Sequence, residues 1–448
     1  AGSLVAVLHS RCILGVWRTQ GRIEFERELA RQRLLPAYRY IMAKEFDVVV
    51  WGATGVAGKQ AALHLTRKYG PSGKSVRYAL AGRDEAKLKA VVETMAKINP
   101  DCAETPLIVC NATKKEDVTS MASRTRVIAA LAGPFNRIGE AIISACIENG
   151  TNYCDITGEV GWVGEMMKKY GKAAEDAKVK IVSCCGFDSI PFDLAAFLVQ
   201  RKASEECGGP CGSVSTVMID AKGGFSGGTV HSLLDAVSEP WSKLKESRNN
   251  ELFAKPGSTL APQRKDPMDL GFDPILKVWK APFLMTPVNA KVVRGTASRL
   301  PEMYGKNFQY FESMKVPNGL IAYLAGGFLA LAFGILVFLP PARWLLRKLM
   351  PQGSGPSEEL MNTGYMILKS AGVAHNGRKV IAQISSHEGD PGYKETAKMA
   401  VESALCVAFP KEDTPKTVGY LTPLSAFGGT LEERLKDAKW KIDVAVSD

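Results

Sequence analysis

The chain has 448 residues, of which 46% are hydrophobic and 23% charged, a composition typical of a folded globular protein with two or three domains. The net charge is +11 without a long basic run, which argues against nucleic acid as a partner and favours an anionic cofactor or membrane surface. Ten cysteines without a disulfide framework and five separated histidines predict a reducing, intracellular environment and no metal site.

The N-terminal extension, residues 1–45, is rich in arginine with apolar residues between. The pattern is that of the remainder of a targeting region for the mitochondrion or another organelle, although Glu24, Glu26 and Glu28 are unusual in such regions. A helix packed on the surface or on another subunit explains the same pattern. Both hypotheses stay open.

From residue 46 onward, short apolar runs alternate with amphipathic segments. Strands are predicted at 46–51, 76–81, 107–110, 127–131, 152–156 and 180–184, and helices at 58–68, 84–97, 138–149 and 164–177. This alternation indicates parallel strands joined by crossover helices, because adjacent parallel strands need such connections. The fold class is therefore α/β, with a Rossmann-type doubly wound parallel sheet over residues 46–193.

The pattern changes beyond Asp193. Residues 194–395 contain a glycine-rich stretch, a polar region with prolines and β-like segments, which predicts an inserted α/β domain. Two further helices are predicted at 396–408 and 431–439. Residues 396–448 are therefore assigned to C-terminal helices that return to the Rossmann domain.

An apolar segment lies within the inserted domain. Residues 319–339 carry no charge and as a helix would reach about 31 Å, the thickness of a bilayer's hydrocarbon layer. Trp344 and the basic residues Arg343, Arg347 and Lys348 follow, a composition that suits a membrane interface.

A helix that crosses a membrane would separate residues 340–448 from the rest of the fold. We therefore expect membrane contact through residues 319–350 as an interfacial or re-entrant segment, bent near Gly326-Gly327 and leaving at Pro340-Pro341. Burial in a homodimer or in a larger complex, and a true membrane span, remain as alternatives.

The segment Gly52-Ala53-Thr54-Gly55-Val56-Ala57-Gly58 directly follows the first predicted strand and opens the first helix. Small residues let the backbone turn sharply and approach a diphosphate, and the helix N-terminus supplies free N–H groups. In this strand–turn–helix context the pattern predicts a dinucleotide site that involves Gly52, Thr54, Gly55, Val56 and Gly58. A plain tight turn is the alternative interpretation.

The end of the second strand selects between the two nicotinamide dinucleotides. Arg83 comes first and suits a 2′-phosphate, so NADP(H) is favoured, with NAD(H) as the alternative. Asp84 is expected to cap the following helix. Gly133, Pro134 and Phe135 follow the fourth strand, at the edge of the sheet where the nicotinamide half of the cofactor passes.

The motifs named so far occur together with Asp155-Ile156-Thr157-Gly158-Glu159 and Gly186-Phe187-Asp188-Ser189-Ile190-Pro191 in a characteristic order. In this order they resemble the saccharopine dehydrogenase-like oxidoreductases. Later motifs, Lys222–Thr229, Gly389–Tyr393 and Leu421-Thr422-Pro423, look closest to the trans-acting enoyl reductases.

The resemblance covers residue 46 to the C-terminus. It implies a Rossmann domain completed by C-terminal residues and an inserted domain that makes substrate and dimer contacts. It also implies hydride transfer from a reduced nicotinamide, to a double bond conjugated to an acyl thioester in the case of the enoyl reductases.

Candidate catalytic groups fall on or after the fifth and sixth strands. Asp155 and Asp188 are candidate proton relays if burial raises their pKa, and Tyr153 is a third candidate. Gly186 and Phe187, at the same edge of the sheet, are candidate cofactor-binding residues. The alternative is structural, with Asp155 and Glu159 capping turns or a helix and Asp188 anchoring its own loop through backbone N–H groups.

Two functions from different classes follow. The first is a membrane-associated, NADP(H)-dependent oxidoreductase that acts on a small-molecule, lipid-like or enoyl-acyl substrate. The second is an accessory subunit of a larger membrane complex that keeps the nucleotide-binding fold with reduced or no turnover. Reduction of an imine on an amino acid ranks third, because no carboxylate-binding clamp is recognisable.

Overall fold

The computed structural model describes residues 44–224, 230–231, 234–235, 237–238, 241–351 and 354–448. The expectations for residues 1–43, a targeting region or a packed helix, lie outside the described residues. The same holds for Phe225–Thr229 of the glycine-rich motif.

The first sheet has seven strands, all parallel, in the order β13-β6-β5-β4-β1-β2-β3. The predicted Rossmann-type parallel sheet is confirmed, and a strand from near the C-terminus, β13, extends it. The strands are β1 (Phe46–Trp51), β2 (Tyr78–Gly82), β3 (Leu107–Val109), β4 (Thr125–Ala130), β5 (Asn152–Asp155), β6 (Lys180–Val182) and β13 (Gly419–Leu421).

Helices cover both faces of this sheet, with a hydrophobic cluster on each side. One face is covered by the first two crossover helices and by the later helix α13 (Thr396–Ala408), which packs on β4 and on the first helix. The crossover helices are α1 (Val56–Tyr69), α2 (Glu85–Ala96), α3 (Lys115–Ser123), α4 (Phe135–Glu148) and α5 (Val160–Asp176).

The second sheet also has seven strands, in the order β14-β12-β11-β7-β10-β9-β8. Only β7 and β10 are parallel; the other pairs are antiparallel. The strands are β7 (Ser213–Lys222), β8 (Gly271–Asp273), β9 (Val278–Ala281), β10 (Gln309–Val316), β11 (Tyr365–Val373), β12 (Lys379–Ser386) and β14 (Lys441–Ser447). The chain thus returns at its end to the second sheet as well as to the first.

Helix α6 (Ile190–Glu206) joins the two sheets and is buried at 12 of its 17 positions. It packs on β11 and β12 of the second sheet and on helix α8 (Thr286–Arg299), which in turn packs on β10. The remaining helices near this core are α7 (Trp241–Ser247), α9 (Pro301–Tyr304), α14 (Pro423–Phe427) and α15 (Gly429–Asp437).

The apolar segment forms helix α10 (Gly319–Phe338), followed by helices α11 (Pro340–Leu349) and α12 (Glu358–Thr363). The predicted bend at Gly326-Gly327 is wrong, because α10 continues through both glycines. The chain turns instead at Leu339, directly before Pro340-Pro341. The stretch Gly319–Leu336 is long and apolar enough to cross a membrane, and only 6% of it is buried.

Candidate nucleotide site and catalytic cleft

The glycine-rich loop connects β1 to α1 and leaves no room for larger side chains at two positions. Gly52 has a φ of +84°, and a Cβ added there would lie 2.5 Å from the Cβ of Ala132. A Cβ on Gly58 would lie 2.0 Å from the carbonyl oxygen of Gly52. Both glycines are therefore required by the close turn that the dinucleotide motif predicts.

The N-terminus of α1 is uncapped. The N-cap residue is Gly55, no described side chain accepts a hydrogen bond from the first turn, and that turn contains no acid. Thr54 is exposed and Val56 half-buried. The later chain approaches Val56 at a glycine, since a Cβ built on Gly355 would lie 3.2 Å from Val56 Cγ2. These features fit a diphosphate, because an uncapped helix N-terminus offers free N–H groups and partial positive charge.

Arg83 lies exposed at the end of β2, at the same edge of the sheet. It makes no hydrogen bond or ion pair with any residue that the structure describes. Asp84 caps α2, as predicted, and its Oδ1 accepts a hydrogen bond of 3.0 Å from the N–H of Lys87. The acid is thus engaged, and the arginine remains available for a phosphate.

Gly133 and Pro134 lie at the carboxyl edge of β4, and Phe135, which is buried, begins α4. The carboxylate of Glu159 accepts hydrogen bonds from the N–H groups of Phe135 (3.0 Å) and Asn136 (2.8 Å). Glu159 therefore caps α4 from the neighbouring loop. This contact keeps the Gly133–Phe135 turn against the edge of the sheet.

Gly186 and Phe187 follow β6 and are bonded to the C-terminal part of the chain. The N–H of Phe187 donates to Thr396 Oγ1 (3.0 Å), and a Cβ on Gly186 would lie 3.1 Å from Thr396 Cγ2. Asp390 connects the Lys222–Thr229 motif with the Gly389–Tyr393 motif. Its carboxylate accepts hydrogen bonds from the N–H groups of Gly224 (2.7 Å) and Tyr393 (2.8 Å). Two motifs that lie 200 residues apart in sequence thus build one loop system.

Asp155 is buried at the end of β5 and is surrounded by hydrogen-bond donors. It accepts from the N–H of Thr157 (3.0 Å), the N–H of Cys184 (3.2 Å) and the hydroxyl of Ser183 (2.8 Å). Burial raises its pKa to about 6 in spite of these donors. The neighbouring Tyr153 is fully buried, and its hydroxyl makes no hydrogen bond to a described residue. These contacts hold the loops after β5 and β6 together.

Asp188 is in a different environment. It lies half-buried on the loop between Gly186 and α6, and its carboxyl group makes no hydrogen bond or ion pair in the described part of the chain. The expected anchoring through backbone N–H groups is therefore absent among the described residues. Burial raises its pKa to about 6, and no donor opposes that shift.

Two further acids line the core near this loop, and sequence reasoning did not single them out as candidates. Glu312 of β10 is fully buried, accepts from Asn289 Nδ2 and from the Tyr310 hydroxyl (both 2.8 Å), and lies close enough to Asp188 to interact electrostatically. Burial raises the pKa of Glu312 to about 8 and that of Asp193 to about 7. The sequence did offer a signal for such residues, because an acid at a position predicted to face the core is unusual.

Aromatic rings continue from this loop toward the second sheet. The Phe187 and Phe192 ring centroids are 6.4 Å apart, and Phe192 stacks on Phe283 with a centroid separation of 5.5 Å. Asp188 therefore lies beside apolar aromatic side chains and near a second acid, Glu312. No set of three or more potential metal ligands is gathered anywhere in the described residues.

Known proteins resemble this chain both in its first sheet and over most of its length. Residues 48–182 match the model of the saccharopine dehydrogenase NADP-binding domain. A protein of Mycobacterium bovis BCG named trans-acting enoyl reductase is 30% identical over 424 residues, covering 88% of this chain and 96% of its own length. A Mycobacterium tuberculosis protein, provisionally given the same name, is 33% identical over 414 residues with the same coverage.

Among solved structures, the apo saccharopine dehydrogenase of Saccharomyces cerevisiae matches 90% of this chain and 100% of its own, with a TM-score of 0.50. The sequence identity is only 10%, so this likeness concerns the fold alone.

Proposed function

The chain belongs to the saccharopine dehydrogenase-like family that includes the trans-acting enoyl reductases, and from this premise we propose that it is an NADPH-dependent reductase. The proposed substrate is a lipid-like or enoyl-acyl compound with a conjugated carbon–carbon double bond. The observation that carries the proposal is the unpaired carboxyl group of Asp188, beside the edge of the sheet where the glycine-rich loop and Arg83 lie.

The cofactor would lie along the carboxyl edge of the first sheet. The Gly52–Gly58 turn and the first turn of α1 would hold the diphosphate, and Arg83 the 2′-phosphate. Gly133, Pro134, Phe135, Gly186 and Phe187 would border the nicotinamide half. When bound, the reduced nicotinamide supplies a hydride to one carbon of the substrate double bond.

Asp188 would supply the proton for the second carbon. In its acid form the O–H bond breaks, a C–H bond forms at the substrate, and the carboxylate takes a new proton from water. A pKa near 6 suits this role, because the group changes its protonation state close to neutral pH. Asp155 and Tyr153 would act mainly by positioning the loops that carry Gly186 and Asp188.

The proposal includes association with an intracellular membrane. The exposed helix α10 supports it, because exposed apolar surfaces of this size mark interaction sites. The accessory-subunit hypothesis predicts the same surface but no turnover, so activity measurements separate the two.

The test is made on the purified full chain. We expect tight binding of NADPH and weaker binding of NADH, followed by cofactor fluorescence and by the melting temperature. We then expect oxidation of NADPH when a trans-2-enoyl thioester is added. Failure to bind either dinucleotide would contradict the proposal. Binding without oxidation of NADPH by any enoyl thioester would favour the accessory subunit.

A further inference from the structure

Helix α10 presents a continuous apolar stripe to the outside of the protein. Its 20 residues extend over about 30 Å. The side chains of Leu320, Leu324, Phe328 and Leu331 recur at helical spacing and are 63% to 73% exposed. The opposite side carries small residues such as Ala322, which is buried against the second sheet. Only 6% of the stretch Gly319–Leu336 is buried, so most of α10 has no cover within the described residues.

Both ends of this apolar region are tied to the same folded unit. At its start, α10 packs closely on the second sheet, since a Cβ on Gly319 would lie 3.0 Å from the Trp279 ring. Beyond its end, Arg347 of α11 forms an ion pair of 2.7 Å with Asp235, which lies 3.7 Å from Arg137 of α4. A helix that crossed a bilayer would place its two ends on opposite sides. These contacts favour an orientation of α10 along a membrane surface over one across it.

Helix α11 continues the exposed surface with the composition of an interfacial helix. Trp344, Leu345 and Leu349 are 50% to 67% exposed, and Lys348 places its ammonium 5.4 Å from the Trp344 ring centre. Tryptophan with a basic neighbour is characteristic of the boundary between headgroups and acyl chains. The chemistry of the two helices fits one leaflet of a bilayer with some anionic lipid.

Side-chain contacts connect α10 with the region around Asp188. Gly326 of α10 faces Pro282, at a distance of 3.6 Å from a built Cβ to the proline Cδ. The next residue, Phe283, stacks on Phe192, which contacts Phe187 beside Asp188. We call Phe283, Phe192 and Phe187 the aromatic path. It offers apolar contact from the inner side of α10 to the candidate proton donor.

We propose that α10 and α11 lie in one leaflet of an anionic bilayer and that the enzyme takes a substrate with a long acyl chain directly from that leaflet, along the aromatic path. The inference rests on the proposed reductase function for the substrate, but the membrane surface itself does not depend on it. Phe192 is fully buried in this path, so an acyl chain would reach Asp188 by displacing the Phe192 ring from its contact with Phe283.

The experiment uses the full chain with NADPH and preformed vesicles of phosphatidylcholine, with or without phosphatidylserine. Flotation measures binding. Oxidation of NADPH is followed with a long-chain trans-2-enoyl thioester in the vesicles and with a short-chain one in solution. Phe328→Asp places a charge in the exposed stripe. Ile98→Asp is the matched control, because Ile98 is an exposed apolar residue (43%) in the loop between α2 and β3, away from the carboxyl edge of the first sheet.

We expect the unmodified chain and Ile98→Asp to float, more strongly with phosphatidylserine, and to reduce both thioesters. Phe328→Asp should lose flotation and at least ten-fold of the long-chain activity, while its short-chain activity and NADPH binding stay unchanged. Equal flotation of Phe328→Asp, or long-chain activity without flotation, would overturn the proposal. So would a dimer that Phe328→Asp separates into monomers without any flotation of the original chain. If no thioester is reduced, the proposed function fails, and flotation alone still decides whether the surface binds membranes.

Discussion

Two groups of buried carboxyl groups in this protein have opposite properties. Glu402, on α13, accepts hydrogen bonds from His64 Nε2 (2.8 Å), Lys68 Nζ (2.9 Å) and the Tyr69 hydroxyl (2.8 Å), and it lies 3.4 Å from an Arg434 nitrogen. Burial alone would raise its pKa, but the hydrogen bonds and charges of His64 and Lys68 lower it to about 2. This cluster joins α13 to α1.

Near Asp188, desolvation dominates instead. Asp188 has no donor among the described residues, and Glu312 has two neutral donors, so the pKa values rise to about 6 and about 8. The difference from Glu402 lies in the number and charge of the donors, since Glu312 is as buried as Glu402 and Asp188 is half-buried. A carboxylate with cationic partners stabilises the fold, whereas a buried acid without them is held ready to exchange a proton.

The largest effect that this comparison predicts is on activity. Asp188→Asn should lower kcat/KM for an enoyl thioester by about two to four powers of ten, the usual contribution of a general acid. In the unmodified enzyme kcat/KM should fall as pH rises through about 6, because the acid form is lost. The variant should lack that step. The measurement is the pH profile of both proteins.

The internal control is that NADPH affinity and melting temperature of Asp188→Asn should not fall, because Asp188 bonds to nothing in the described structure. An unchanged rate, or a pH step that survives the substitution, would remove Asp188 from the mechanism.

Glu402 should show the reverse pattern. Glu402→Ala should lower the free energy of unfolding by about 3–5 kcal/mol, because it leaves the partly buried His64, Lys68 and Arg434 without their common, buried partner. Urea unfolding with fluorescence detection measures the effect. Glu402→Gln, which keeps the shape and some hydrogen bonds, should lose less. A Glu402→Ala variant that lost activity but kept its full stability would contradict the structural role assigned to Glu402.

Regular elements with local signals were predictable from the sequence. The bounds of β1 (Phe46–Trp51) and α13 (Thr396–Ala408) agree with the prediction, and Asp84 caps α2 as expected. In each case the information lies within one segment, as an apolar run, a helical period or a capping residue. The glycine-rich loop is also local, because strand, turn and helix follow one another directly.

What failed depended on distant contacts. Helix α6 is apolar on nearly all sides because it is enclosed between two sheets, so no amphipathic period marks it. Strand β14 pairs with β12, which lies more than fifty residues earlier. The bend at Gly326-Gly327 was expected because it would keep residues 340–448 with the rest of the fold. The helix continues there because the local cost of about 1 kcal/mol per glycine is outweighed by the apolar neighbours that favour a helix.

The candidate site was predicted in part. The side chains at the edge of the sheet follow from strand order, yet Asp155, Glu159 and Asp188 look equivalent in the sequence. Only the contacts separate them, since the first two accept backbone N–H groups and the third accepts none from the described residues. Glu312 lies on β10 of the second sheet. The packing of that strand brings it near Asp188, and no short motif encodes this packing.

A smaller effect tests the raised pKa values through stability. An acid whose folded pKa exceeds its unfolded pKa makes the fold less stable as pH rises between the two values. For Glu312 this window runs from about 4.5 to about 8, with a slope of up to about 1.4 kcal/mol per pH unit. Glu312→Gln should flatten the decline in urea stability between pH 5 and 8.

For Glu402 the window is on the acid side. Its lowered pKa stabilises the fold fully above about 4.5, and this contribution is lost as pH falls toward about 2. Glu402→Gln should therefore lose stability at pH 7 but little at or below pH 2. An identical pH dependence in both variants would mean that neither shift reflects the contacts described above.

The smallest predicted effect concerns Arg83, a charged side chain that is likewise without a partner among the described residues. Arg83→Ala should weaken NADPH binding by about ten- to a hundred-fold, the value of a charge-assisted contact to phosphate, and leave NADH binding unchanged. Lys87→Ala is the matched control, since Lys87 is an exposed cation on the next helix with only a long, 3.9 Å ion pair. If both dinucleotides weaken equally in Arg83→Ala, the arginine acts on the shared diphosphate, and the preference for NADPH must arise elsewhere. If Arg83→Ala weakens the binding of NADPH alone, the comparison extends from acidic to basic side chains. Arg83, like Asp188, would then be a charged group that has no partner within the described fold because a ligand supplies it.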